Sequence, residues 1–342
     1  MTITYASETF RKGRNTLMGM ATLLILWFHS AILVNPDSLV GCMKSISDIG
    51  VDMFLFASGA GVYFALKKHG KFWPYLKSRL CRVLPAYLLV AIPWFAYQDI
   101  VLAGSRKLFL KDLTMLTFWL DGRMTFWYIS AILLLYVMSP LYVTIWNRFR
   151  NFDKLSVFCA YTVTLLVLAG KLEFLDGPAM ILIPRIPVYL FGLSFGKVMQ
   201  SGNVFRVKTA LLCPLMAACG VLLAAAMGWI SWTLPSACKY IAFGPLAVML
   251  SLVCTKIPEN WFTGFWGQRS LEVYLLLEKV QVTLGNRREM EPLMGNSAIP
   301  FFILALGITL LLVEILRWLT TPFRGGFPGR ARIANRELTK SK

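Results

Sequence analysis

Long apolar runs separated by short, mostly basic polar segments set the pattern of this chain. The apolar stretches fall near 15–34, 46–66, 84–103, 124–146, 155–170, 179–199, 208–228, 237–254, 268–284 and 298–318. Most approach the roughly 20 residues that carry a helix across about 30 Å of hydrocarbon. Two depart from the rule: 155–170 is short, and 268–284 contains Glu278 and Lys279. The pattern predicts an all-α, polytopic membrane protein with about ten transmembrane helices. Residues 1–342 then form a single membrane-embedded domain that ends in a basic tail over 322–342. The mixed segment 104–123 has helical apolar spacing but is too short to span, so it predicts an interfacial or re-entrant helix on the outer side. A cleaved leader is a poor reading of the first run, which exits into VNPDS with no small-residue cleavage site.

Composition agrees with lipid as the main solvent: 57% of the residues are hydrophobic and only 15% are charged, against about 25% charged in a soluble domain. The formal net charge is +18, and its placement matters more than its size. Arg11, Lys12 and Arg14 precede the first run, which puts the N-terminus in the cytoplasm by the positive-inside rule. Counting spans from there, the cytoplasmic segments collect roughly two-thirds of the basic residues, including those of the tail. Both termini are therefore expected inside. Basic residues that alternate with spans do not form one patch, so nucleic-acid binding is excluded as a reading of the charge. The seven cysteines form no C-x-x-C pair and are read as small apolar fillers. There is no phosphate-binding Walker loop and no metal-ligand cluster.

The first run, NTLMGMATLLILWFHSAILV, holds His29, one of only two histidines. An ionisable group in a span usually faces a protein interior or an aqueous cavity and does chemistry or transport. The alternative is a neutral imidazole hydrogen-bonded to a neighbouring helix. His69, among Lys67, Lys68 and Lys71, reads as a solvated loop residue.

Helix rise allows depths to be compared. His29 lies roughly 20 Å from the inner end of the first span. Asp52 near the start of the second, Trp127 and Tyr128 at the start of the fourth, Arg185 at the start of the sixth and Glu278 in the ninth fall at a similar outer level. Each also has a structural reading. Asp52 suits a helix N-terminus, Trp127 and Tyr128 an aromatic belt, and Arg185 with Glu278 an ion pair. Agreement in depth favours one shared polar cavity. At the inner side Arg79 and Arg82, three apart before the third span, share a helix face and suit a phosphate group; an ordinary positive-inside flank is the alternative. Gly192 and Gly196 form a G-x-x-x-G step, read as close helix packing. No internal repeat of fixed period marks an inverted-repeat transporter.

RNTLMGMATLLILWFHS resembles the first helix of the acyltransferase-3 family of bacterial membrane proteins, with His29 on the family's essential histidine. GVDMFLFASG, through Gly50, Val51, Asp52, Phe54, Ser58 and Gly59, is similar to its second-helix motif. YLKSRLCRVLPAYLL matches its R-x-x-R loop through Arg79, Arg82, Pro85 and Tyr87. FWYISAILLLYVMSPLY, PRIPVYLFGLSFGK and WGQRSLEVYLLLEKV look like later blocks, in family order across about 15–280. The chain departs at three points: Met18 replaces a common arginine, with Arg14 one turn further out. Leu277 replaces a common histidine, with Glu278 next to it. Thr321 replaces an acid before Pro-Phe.

The resemblance implies a bacterial inner-membrane enzyme that transfers an acyl group, commonly acetyl, from cytoplasmic acyl-CoA to a hydroxyl of an extracytoplasmic glycan or lipid-linked sugar. Acyl-CoA enters as co-substrate, with no bound cofactor or metal. His29 would be the general base, or an acyl-accepting nucleophile, steadied by Asp52 or Glu278. Tyr128 or Arg185 would meet the oxyanion or sugar beside Trp127, and Arg79 with Arg82 would hold the nucleotide phosphates. Two other readings stay open: a transporter or flippase for a glycan lipid with His29 and Asp52 as a proton relay, and a non-catalytic membrane scaffold. The oligomeric state has no signature in the sequence.

Overall fold

A computed structural model describes residues 7–30, 39–149, 155–157, 159–160, 178–200, 237–285 and 298–324. Every regular element among the described residues is helical. The spans expected at 155–170 (in most of its length) and 208–228, and the tail beyond 324, lie outside the described residues.

Helix α1 (Ser7–Phe28) opens with an exposed Glu8–Lys12 pair at 2.9 Å and runs from the basic end of the bundle to the far end. The short α2 (Leu39–Ile46) leads into α3 (Ile49–His69), which returns to the basic end. There Gly70, at φ 66°, donates its N–H to the Leu66 carbonyl at 2.9 Å. Only a residue without Cβ adopts that left-handed stop at no steric cost. His69 is therefore the last residue of a helix, not a loop residue as expected.

Helix α4 (Phe72–Phe95) starts two residues later and continues as a widened, π-helical stretch over Ala96–Leu102. Arg79 and Arg82 thus lie inside this long helix, not ahead of a span. The segment expected to lie at the interface forms two short helices, α5 (Arg106–Leu113) and α6 (Leu116–Asp121). Arg123 ties them to the π-helical end of α4 by pairing with buried Asp99 there and with buried Asp112 of α5, and the Thr117 hydroxyl of α6 donates to Asp112. Phe126 then takes φ 56°, a left-handed conformation rare for an aromatic residue. It sets the start of α7 (Trp127–Arg148) inside the bundle.

A short α8 (Pro178–Leu182) and a 3₁₀ turn over Ile183–Arg185 precede α9 (Ile186–Gln200). They are followed by α10 (Ala237–Lys256), α11 (Trp261–Thr283) and α12 (Ala298–Arg324). Asn260 caps α11, its side chain accepting the Thr263 N–H at 2.8 Å while the Thr263 hydroxyl accepts the Asn260 N–H at 3.3 Å.

Small residues decide which helices meet. On α9, Gly192 abuts the Phe56 carbonyl and Gly196 the Ala60 carbonyl of α3, while Gly59 of α3 faces the Tyr189 carbonyl. This is the close packing that the G-x-x-x-G step predicts. Gly13 and Gly19 bring α1 against α10 and α11 at the Thr255 and Thr263 carbonyls, and Gly267 meets Asn15 in return.

Four helical stretches, Ile49–His69, Phe72–Leu102, Trp127–Arg148 and Ile299–Phe323, are long and apolar enough to cross a membrane. Helices α1 and α11 are as long but carry Arg11, Lys12 and Arg14, and Arg269, Glu272, Glu278 and Lys279 respectively. The chain is a helical, multi-pass membrane protein.

Candidate active site

A cavity of about 700 Å³ lies inside the bundle, between α1, α3, α4, α7, α11 and α12. At its basic end Arg14, Arg79, Arg82 and Arg317 line it, one or two from each of three helices. Arg79 is held most firmly. It is only 7% exposed, donates from Nη2 to the Gly61 carbonyl, and sits 5.8 Å from the Tyr136 ring centroid. Its Nε has no hydrogen-bond partner among the described residues.

Further in, Phe54 and Ser58 of α3, Tyr128 and Ile132 of α7 and Glu272 and Tyr274 of α11 form the walls, with Ile25 of α1 at the far end. The Tyr274 hydroxyl accepts the backbone N–H of Tyr128 at 3.2 Å, and the two rings meet edge to face at 5.5 Å. That contact satisfies an N–H that the first turn of α7 leaves without an intrahelical partner. It also fixes Tyr128 against the cavity.

His29 occupies the turn just past α1, and not a place two-thirds of the way along a span as expected, because the helix stops at Phe28. It is exposed, and its backbone carbonyl accepts from Gln281 Nε2 of α11 at 3.2 Å. The cavity ends at Ile25, one helical turn below it. Residues 278 and 281 share a helix face, so the Gln281 contact turns Glu278 toward the same side as His29. Charges of Glu278, Lys279 and Lys44 act on the imidazole from α11 and α2. Glu278 is exposed and pairs with Lys279 at 2.8 Å. Lys279 itself is buried, 5.2 Å from the Trp94 ring centroid and 4.8 Å from that of Phe126.

The remaining expected residues form a separate knot. Arg185 is buried, with Nε 3.6 Å from Asp52 Oδ1 and Nη2 3.4 Å from Asp48 Oδ2. It also donates from Nη1 to the Ile181 carbonyl at 3.0 Å and lies 5.1 Å from the Trp127 ring centroid. The ion pair read from sequence between Arg185 and Glu278 is therefore replaced by two others, Arg185 with Asp48 and Asp52, and Glu278 with Lys279. The single shared cavity also resolves into parts. Arg79, Arg82 and Tyr128 line it; Asp52, Arg185 and Trp127 make a braced joint between α3, α7 and α9; His29 and Glu278 stand beyond its far end.

Sequence reasoning gave no site role to Glu272, Tyr274 or Arg317, nor to Ser58 beyond its place in the second-helix motif, and all four are in the cavity wall. A signal for Glu272 was present, since a carboxylate inside an apolar run is costly unless it faces protein or water. Cys81 lines the cavity too and is exposed, so the filler role expected of the cysteines fits buried Cys254 but not Cys81.

Among the described residues, then, a helical membrane bundle encloses an internal cavity lined at one end by arginines. The chain belongs to the acyltransferase-3 family, whose model, described as an acyltransferase domain, matches residues 15–318. It is thus a membrane acyltransferase. No curated protein and no solved structure shows a significant match.

Proposed function

We propose that the protein transfers an acyl group, acetyl in the first instance, from cytoplasmic acyl-CoA to a hydroxyl of a glycan or lipid-linked sugar outside the bacterial inner membrane. In this reading the basic end faces the cytoplasm, both termini lie there, and about ten helices span the bilayer. The observation that carries it is the continuous cavity from Arg79 and Arg82 to Ile25, one turn short of His29. Phosphates at the arginines leave the pantetheine arm to run inward, toward Tyr128, Tyr274 and the far end.

His29 takes the proton of the acceptor hydroxyl as its oxygen attacks the thioester carbonyl. The carbon–sulfur bond then breaks, the ester forms, and the proton passes to the thiolate, which leaves as free CoA. Glu278, on the α11 face beside His29, stabilises the imidazolium as it forms, the part a carboxylate plays in a hydrolase triad. Asp52 is a poorer candidate for that part, because Arg185 already engages it away from the cavity.

Thioester consumption tests the proposal. Membranes containing the protein should release CoA thiol only when both acyl-CoA and an envelope glycan are supplied, and mass spectrometry should find the added acyl group on the glycan. Glycan or glycolipid moved across the membrane with no thiol released would replace this reading with a transporter.

A further inference from the structure

Past Phe28 the backbone of α1 passes into the keeping of its neighbours. The His29 N–H still donates to the Ile25 carbonyl at 2.9 Å, but the carbonyls of His29 and Ser30 lie beyond the last turn, where the helix supplies no donor. Side chains from two other elements meet them. Gln281 Nε2 of α11 donates to the His29 carbonyl at 3.2 Å, and Lys44 Nζ of α2 donates to the Ser30 carbonyl at 2.7 Å. Ser30, which is buried, closes the turn from within: its Oγ donates to the Trp27 carbonyl at 2.8 Å and its N–H to the same oxygen at 3.2 Å.

The imidazole depends on this turn for its place. It is exposed, and it meets Phe28 of its own chain edge to face at 5.1 Å. One carbonyl contact would leave the turn free to swing about it. Two contacts, on consecutive residues and from two elements, fix its direction as well as its position. Gln281 also lies two turns beyond Tyr274 on α11, so both share a helix face. The helix that supplies Tyr274 to the cavity wall thereby sets the height of His29 above that cavity. Such control matters for chemistry, because a misplacement of about 1 Å can lower a rate by about 10²-fold.

We propose that Gln281 and Lys44 are positioning residues, which hold the two carbonyls of the His29 turn and so direct the imidazole at the reacting acyl group. This rests on His29 being the base. One arm of the test needs no turnover. His69 and His29 are the two histidines of the chain, so a His69→Gln protein labelled at histidine gives a single imidazole NMR signal in nanodiscs. Gln281→Met and Lys44→Met should each broaden or split that signal, whereas Lys44→Arg, which keeps a cationic donor, should leave it as it was. The other arm follows thiol release from acetyl-CoA with an isolated envelope glycan. Each methionine variant should lower kcat by about tenfold and the pair by about 10²-fold, with KM for acetyl-CoA within about twofold. Lys44→Arg should restore most of the rate. In a His29→Ala background the same replacements should cost nothing further.

An imidazole signal and a kcat unchanged in both methionine variants overturn the assignment. So does a further loss in the His29→Ala background, which would make Gln281 and Lys44 braces of the fold alone. Full transfer by His29→Ala overturns the base, and this role with it. That result is distinct from a strict need for His29 beside indifferent Gln281 and Lys44 variants, which overturns the role and leaves the proposed function standing.

Discussion

Replacing His29 with Ala separates binding from chemistry. The imidazole stands one turn beyond the cavity's last wall residue, Ile25, and so does not touch a donor held within. The rise over those four residues is about 6 Å, whereas reacting atoms must come to about 3–3.5 Å. Side chains on a helix lean toward its N-terminus, which for α1 is the basic end, so the bias of His29 is toward the cavity. A thioester that passes Ile25 therefore comes within its reach.

Loss of a general base should lower the transfer rate by about 10²–10⁴-fold, while the dissociation constant for acyl-CoA stays within about twofold. Ile25→Trp should block the same junction from below, leaving the arginines to bind donor but stopping transfer. Both measurements need only reconstituted protein: equilibrium binding of labelled acyl-CoA, and thiol release with acceptor. Transfer at the full rate by His29→Ala refutes the proposed chemistry. A parallel loss of donor binding refutes the separation of the two sites.

Three other outcomes follow from the geometry. Arg79→Ala should weaken acyl-CoA binding by about 10–150-fold, from a lost charge-assisted contact of about 1.5–3 kcal/mol, with Arg79→Lys in between; unaltered titration isotherms would take Arg79 out of the donor site. Arg185→Met leaves Asp52 buried beside no cation and should cost about 3–5 kcal/mol. The double variant Arg185→Met, Asp52→Asn should recover much of it in thermal unfolding, and no recovery would mean that the pair is not what joins α3 to α9. Gly192→Leu must push α9 off the Phe56 carbonyl; at about 1–3 kcal/mol for overpacking its melting midpoint should fall, while Gly307→Leu, with nothing within 4 Å of its Cβ site, should leave it unmoved.

The period and length of the apolar runs determined that the chain is helical and belongs in a membrane, because hydrocarbon forces each backbone to satisfy its own hydrogen bonds. Glycine spacing on α9 likewise announced a close helix contact. What the sequence does not hold is the rotation of each helix about its axis. Depth follows from rise alone, so Asp52, Arg185, Trp127, Tyr128, Glu278 and His29 read as one group. Packing divides them: Arg185 turns to Asp48 and Asp52, Glu278 to Lys279, and Tyr128 to Tyr274. Arg14 and Arg317 lie near opposite ends of the sequence and share a cavity only because α1 and α12 both pack on α11. Such pairings depend on which small residues let two backbones approach, a property of facing surfaces that no single helix carries.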